Sequence, residues 1–80
     1  MEVNVLLFGI TKDLVGRQKL NLQIPEATTV SDFRRILQEE YPELNDLNSI
    51  AIAVNSAYAK DNLLIEAHDE IALIPPVSGG

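Results

Sequence analysis

The chain has 80 residues, of which 46% are hydrophobic and 22% charged, with no cysteine and a formal net charge of −6. This length suits one small domain with a two-layer core and leaves little room for an enclosed pocket. The composition excludes a disordered chain, the missing cysteine excludes a disulfide framework, a thiolate metal site and a thiol nucleophile, and twelve acids against six bases argue against nucleic acid or an anionic membrane surface as a partner.

No apolar run approaches the ~18–20 residues of a membrane span. The start, Met1-Glu2-Val3-Asn4-Val5, lacks the basic region and long apolar core of a signal peptide. A cytoplasmic location is the expectation.

The first predicted element is a strand over residues 2 to 10. Val3, Val5 and Leu7 share one face, and Asn4, Leu6, Phe8 and Ile10 the other. Gly9 marks a bulge or a turn near its end. Thr11 to Gly16 reads as a connection with room for one short helical turn, and Gly16-Arg17 as a turn. Gln18 to Ile24 alternates more cleanly, with Leu20, Leu22 and Ile24 inward, and Pro25 ends it. The two strands are expected to form an antiparallel hairpin with a long loop.

Thr29 is the expected N-cap of the one strong helix, with Asp32 in the capping-box position. Val30, Phe33, Ile36, Leu37, Tyr41 and Leu44 recur at helical spacing and form the apolar stripe. Arg34, Arg35, Gln38 and Glu39 fall on the solvent side. Pro42 stops the helix at about Tyr41. A polar connection from Glu43 to Ser49 follows, with Leu44 and Leu47 inward. Ile50 to Val54 is a strand, Asn55-Ser56 a turn, and Ala57-Tyr58-Ala59 a short strand. Leu63, Leu64 and Ile65 are expected to return to the core. Glu66-Ala67-His68-Asp69 is a turn, and residues 70 to 74 form the last strand. The whole is an α+β roll: a mixed sheet of four to five strands packed on one main helix, with the first and last strands side by side in the centre.

Few residues offer chemistry of their own. The one histidine, His68, stands beside Asp69 in a turn, a placement that makes turns far more often than dyads. Glu39-Glu40 and Asp69-Glu70 are isolated pairs without metal-ligand spacing. No Gly-rich loop joins a strand to a helix, so no nucleotide cradle is expected. The end of the sequence, Pro75-Pro76-Val77-Ser78-Gly79-Gly80, is different. Gly is ~7% of residues, so a final Gly-Gly arises by chance in roughly 0.5% of chains. Glycines without Cβ let a narrow channel close around backbone, and two prolines aim the segment away from the fold. Six extended residues reach at most ~20 Å. Such a tail suits presentation of a Gly80 carboxylate to another protein for activation. Residues 1–74 are thus expected to be the domain and residues 75–80 a flexible tail.

Three stretches carry a family resemblance: Thr29-Val30 with Phe33 to Tyr41-Pro42; Ala53-Val54-Asn55; and Asp69-Glu70-Ile71-Ala72-Leu73-Ile74-Pro75-Pro76-Val77-Ser78-Gly79-Gly80. In them the chain resembles the ubiquitin-like β-grasp sulfur carriers and, among these, the small-subunit family of molybdopterin synthase. The resemblance implies that the Gly80 carboxylate is adenylated by a ubiquitin-activating-like adenylyltransferase using ATP, then converted to a thiocarboxylate. It implies that Gly79 and Gly80 carry the reaction inside the large synthase subunit, where sulfur passes to cyclic pyranopterin monophosphate in a heterotetramer. No tightly bound cofactor and no metal is implied for this chain. Phe8, Ile74, Pro75, Pro76, Val77 and Ser78 are the expected partner contacts. Two positions depart from the pattern. His68 and Ser56 stand where the family commonly has Gly, which strains them if their turns need φ > 0. Other readings of the same tail are a carrier for thiazole or another sulfur pathway, a ubiquitin-like modifier joined to lysines, and a plain interaction domain.

Overall fold

The computed structural model describes residues 1–44 and 50–75. β1 (Glu2–Leu7) places Val3, Val5 and Leu7 in the core with no exposed surface. Asn4 and Leu6 are half-buried on its other side. β2 (Lys19–Gln23) runs antiparallel to it, with Val3 opposite Leu22 and Val5 opposite Leu20. The expected hairpin is therefore present. The Met1 ammonium and carbonyl both bond to Ile24, which closes the far end of the pair.

The strand expected over residues 2 to 10 stops at Leu7, and the connection after it is a helix, α1 (Gly9–Val15). The chain turns at Gly9, whose φ is +55°. The Thr11 hydroxyl accepts from the Phe8 N–H at 3.1 Å and donates to the Phe8 carbonyl at 2.6 Å. A reciprocal cap of this kind satisfies groups that a helix N-terminus otherwise leaves open. Gly16 ends α1 in the left-handed conformation at φ 82°, its N–H donating to the Lys12 carbonyl at 2.8 Å.

α2 (Val30–Glu40) starts as the sequence predicts: the Thr29 hydroxyl accepts from the Asp32 N–H at 3.2 Å. Two further N–H groups of its first turn, on Val30 and Ser31, donate to the carbonyls of Leu63 and Asp61. The segment before β5 thus runs along the N-terminus of α2. That run explains a second difference from expectation. Leu63 and Leu64 are 42% and 56% exposed, and only Ile65 of this trio enters the core. Backbone bonding to α2 fixes the segment, and successive side chains cannot all face inward.

Val30, Phe33 and Leu37 join the core from α2, and Tyr41 and Ile36 pack at its margin. The 3₁₀ turn Pro42–Leu44 buries Leu44. Leu47 and Ser49 lie outside the described residues. Arg35 is exposed as expected and lies 3.7 Å from Asp32. Arg34 is not a free surface cation: its guanidinium donates to the Ile50 carbonyl at 2.7 Å. The remaining strands are β3 (Ala51–Val54), β4 (Ala57–Tyr58) and β5 (Glu70–Ile74).

The five-stranded sheet has the order β2-β1-β5-β3-β4. β1 and β5 are parallel neighbours, and the other pairs are antiparallel. First and last strands lie together at the centre, as the two-sided apolar pattern predicts. One cluster joins α2 to the core face of the sheet through Val3, Val5, Leu7, Ile52, Val54, Ile71 and Leu73. The other face, outside this cluster, carries Leu6, Ala51, Ala72 and Ile74 half-buried and Tyr58 exposed; among the described residues it is termed the open face.

Candidate functional site: the open face and the exit of the tail

Strand register determines which residues share the open face. Leu6 pairs with Lys19 on one side and Ala72 on the other; Ala72 pairs with Ala53, and Ala53 with Tyr58. These residues form one row across the sheet. The next row toward the end of β5 holds Ile74 and its partner Ala51. Phe8 belongs beside them. Its backbone is still extended, with φ −130° and ψ 155°, so its ring falls on the Leu6 side of the pleat. In the opposite direction the face becomes polar, through Asn21, Asn4 and Glu70, then Glu2 and Gln23.

Small side chains make the middle of this face flat, with Ala51, Ala53 and Ala72 between the larger residues. Tyr58 is 75% exposed at one margin and Phe8 48% exposed at another. An apolar surface with aromatic rims that lies outside the core cluster of the described residues has the character of a protein-docking surface. Beyond Tyr58 the surface continues into a shallow open cleft lined by Ala59, Lys60, Leu63, Leu64 and Glu66. It groups no nucleophile with a base.

The chain leaves the sheet at the apolar end. Leu7 and Leu73 are the last registered pair of the two central strands. Phe8 and Ile74 follow, then Gly9 and Pro75. The contact between Gly9 and Pro75 is close: a Cβ on Gly9 would stand 3.1 Å from the proline Cγ. Pro75 is half-buried, and the sequence passes from it into Pro76-Val77-Ser78-Gly79-Gly80. The structure thus brings three expected contact residues, Phe8, Ile74 and Pro75, to one edge of the open face. Pro76, Val77, Ser78, Gly79 and Gly80 lie outside the described residues.

His68 and Asp69 form no dyad. His68 is exposed with φ 69°, and its backbone N–H donates to the Glu2 carbonyl at 3.1 Å. The Asp69 carboxylate accepts from the Glu66 N–H at 2.8 Å and the Asn55 amide at 3.0 Å. The Asn55 side chain in turn accepts from the Glu70 N–H at 3.0 Å. This network pins the β3–β4 turn to the start of β5, at the far end of that strand from Pro75. Among the described residues, no group of three or more His, Cys, Asp or Glu side chains could hold a metal ion. No described helix is long and apolar enough to cross a membrane.

Sequence reasoning missed Leu6, Ala51, Ala72 and above all Tyr58 as members of the face. The available signal was the alternation in each strand, but strand order and register were needed to assemble it. It also missed the Thr11 clasp on Phe8. Thr11 stands three residues after Phe8, the capping-box spacing, but Phe is not a usual cap residue.

The ThiS family matches residues 5–80. A molybdopterin synthase sulfur carrier subunit from Caenorhabditis briggsae is 39% identical, covering 100% of this chain and 99% of its own. Among solved structures, small archaeal modifier protein 1 from Methanosarcina acetivorans is 28% identical with a TM-score of 0.82, over 99% of this chain and 96% of the other. A chain of the protein–protein complex of subunits 1 and 2 of molybdopterin-converting factor from Helicobacter pylori is 30% identical with a TM-score of 0.72, over 100% of both chains. The fold they share with this chain is the ubiquitin-like β-grasp.

Proposed function

The chain belongs to the ThiS family, and on that premise we propose that it is the sulfur carrier subunit of a molybdopterin synthase, acting in molybdenum cofactor biosynthesis. What carries the reading is the open apolar face that runs up to Pro75, where the sequence passes into its Gly79-Gly80 end. A docking surface next to a glycine tail is what a carrier needs. It binds a partner with one part and delivers a reactive terminus with another.

The chemistry is confined to the tail. A carboxylate is a poor electrophile until an oxygen is converted to a leaving group. Attack of the Gly80 carboxylate on the α-phosphate of ATP, in an adenylyltransferase, forms an acyl adenylate and releases pyrophosphate. A sulfur nucleophile then displaces AMP to give the thiocarboxylate. In the large synthase subunit that sulfur displaces an oxygen substituent from a carbon of cyclic pyranopterin monophosphate, the carbon–oxygen bond breaking as the carbon–sulfur bond forms. Water then cleaves the Gly80 carbon–sulfur bond and restores the carboxylate. This chain supplies the terminus and the docking face; the acids and bases of the reaction belong to the partners. Residues 75–80 carry the terminus to the partners, the complex is a heterotetramer, and its site of action is the cytoplasm. ATP is consumed by the activating enzyme and is not a resident group of this chain.

Intact-mass measurement tests the reading. Protein made in cells that hold the activating and sulfur-donor enzymes is expected to include a species heavier by the difference between sulfur and oxygen, located at Gly80. The large subunit is expected to co-purify with it. Only unmodified mass, together with normal pterin sulfuration after Gly80 is deleted, would sink the idea. A second reading is favoured by the likeness to small archaeal modifier protein 1 over nearly the whole chain. As a modifier, the chain would appear on gels as a ladder of Gly80-linked conjugates that survives thiol reagents.

A further inference from the structure

We propose that Gly9 and Thr11 are positioning residues for the C-terminal tail: together they set the direction in which the chain leaves the sheet at Pro75, and so where Gly80 arrives in a partner's active site. The consequence for sulfur transfer rests on the carrier reading above. The cause is local geometry.

β1 and β5 are parallel, so both run out at the same end of the sheet, and their continuations pack against each other. Gly9 and Pro75 meet there. A Cβ at Gly9 would approach the Pro75 Cγ to 3.1 Å, tighter than nine in ten contacts of that kind, so the proline would have to give by a few tenths of an ångström. Gly9 is also held at φ +55°, where a side chain is strained. Two requirements therefore converge on this glycine. Gly16, at the other end of α1, provides the contrast. Its φ is +82°, but nothing lies within 4 Å of the Cβ it lacks. Gly16 answers to backbone conformation alone, and Gly9 answers to conformation and to the proline.

Thr11 holds the same corner from beneath. It is fully buried, and its hydroxyl engages both backbone polar groups of Phe8, accepting at 3.1 Å and donating at 2.6 Å. Phe8 is thereby kept extended, with its ring on the open face and Gly9 fixed directly after it. The wall against which Pro75 rests is set by one hydroxyl and one missing methyl group. Proline transmits a displacement because its φ is locked. Misplacement of a reacting atom by about 1 Å can cost a hundredfold in rate.

Four variants test this: Gly9→Ala, Thr11→Val, and the controls Gly16→Ala and Thr11→Ser. Gly16→Ala introduces left-handed strain without touching Pro75. Thr11→Ser keeps the hydroxyl. The first readout needs no partner. The chain has no cysteine, so a spin label on Ser78→Cys, added to each background, reports by paramagnetic broadening which sheet residues the tail passes. The second readout, on unlabelled protein, is the single-turnover rate of sulfur transfer from preformed thiocarboxylate at saturating large subunit. Gly9→Ala and Thr11→Val are expected to move the footprint and to slow transfer about tenfold to a hundredfold, while both controls stay within about twofold of the parent. Equal footprints and rates for Gly9→Ala and Gly16→Ala overturn the proposal, even if Thr11→Val fails to fold. A parent that never accepts or donates sulfur counts against the carrier reading instead, and the footprints still decide the positioning.

Discussion

Among the described residues, four non-glycines take positive φ: Ala27, Asn55, Ser56 and His68. Asn is tolerated there because its short polar side chain bonds locally, and Asn55 does so with Asp69 and Glu70. His68 has no such compensation. Its side chain is exposed, and the turn uses only its backbone N–H, given to the Glu2 carbonyl. A left-handed non-glycine residue costs on the order of 1–3 kcal/mol, part of which glycine returns through its greater freedom in the unfolded chain. His68→Gly is therefore expected to stabilise the fold by about 1 kcal/mol. Urea unfolding would show a higher midpoint at unchanged slope. Sulfur transfer should not change, because this turn lies at the far end of β5 from Pro75. A lower midpoint would mean that the imidazole makes a contact the turn depends on. The turn was legible in the sequence through Glu-Ala-His-Asp before the last strand, and its left-handed conformation only as a condition attached to the resemblance, which φ 69° at His68 meets. Ala27 was not, since Glu-Ala-Thr-Thr carries no turn signal that distinguishes it.

At the scale of elements, α2 announced itself and α1 did not, for physical reasons that differ at each cap. α2 has 11 residues, a broad apolar stripe and a threonine N-cap. Replacing Thr29 with Ala removes the acceptor for the Asp32 N–H and should cost about 1 kcal/mol, within a usual range of about 0.5–2 kcal/mol. Chemical denaturation checks the value, and no change in midpoint would show that the carbonyls of Leu63 and Asp61 suffice to hold this terminus. α1 has 7 residues, too few for periodicity to stand out, and its cap is a phenylalanine backbone clasped by a threonine two residues into the helix. Hydrophobic alternation through Leu6, Phe8 and Ile10 imitates a continuing strand, and only the tertiary stop at Gly9 ends it. Leu63-Leu64 misled in the opposite sense. Apolar content suggested core, but the backbone of this segment is committed to α2, which leaves both side chains at the surface.

At the scale of the molecule, the Gly-Gly ending can be read straight from the sequence, and the apolar row across the sheet cannot. Leu6, Ala51, Ala53, Tyr58 and Ala72 come from four strands, and nothing local in the sequence gives the register that makes them neighbours. Tyr58 is the most exposed large residue of that surface, at 75%. Its truncation to Ala should leave stability within about 0.5 kcal/mol. If the open face docks the large subunit, the same change should weaken binding by about tenfold or more, since aromatic residues dominate such interfaces. Calorimetric titration against the large subunit separates the two effects, and unchanged affinity would move the interface off this face. Docking and delivery are then separable. One alanine appended after Gly80 leaves the open face intact but turns the Gly80 carboxylate into an amide and moves the free carboxylate one residue on, beside a Cβ, so a channel that closes around glycine backbone should no longer present it for activation. The extended chain is expected to bind the large subunit with affinity within about threefold of the parent, because little of a glycine tail's surface contributes to burial. It should therefore inhibit sulfur transfer competitively, with an inhibition constant near its binding constant. If it instead fails to bind, the tail and not the sheet holds the complex together, and the open face must be assigned to another partner.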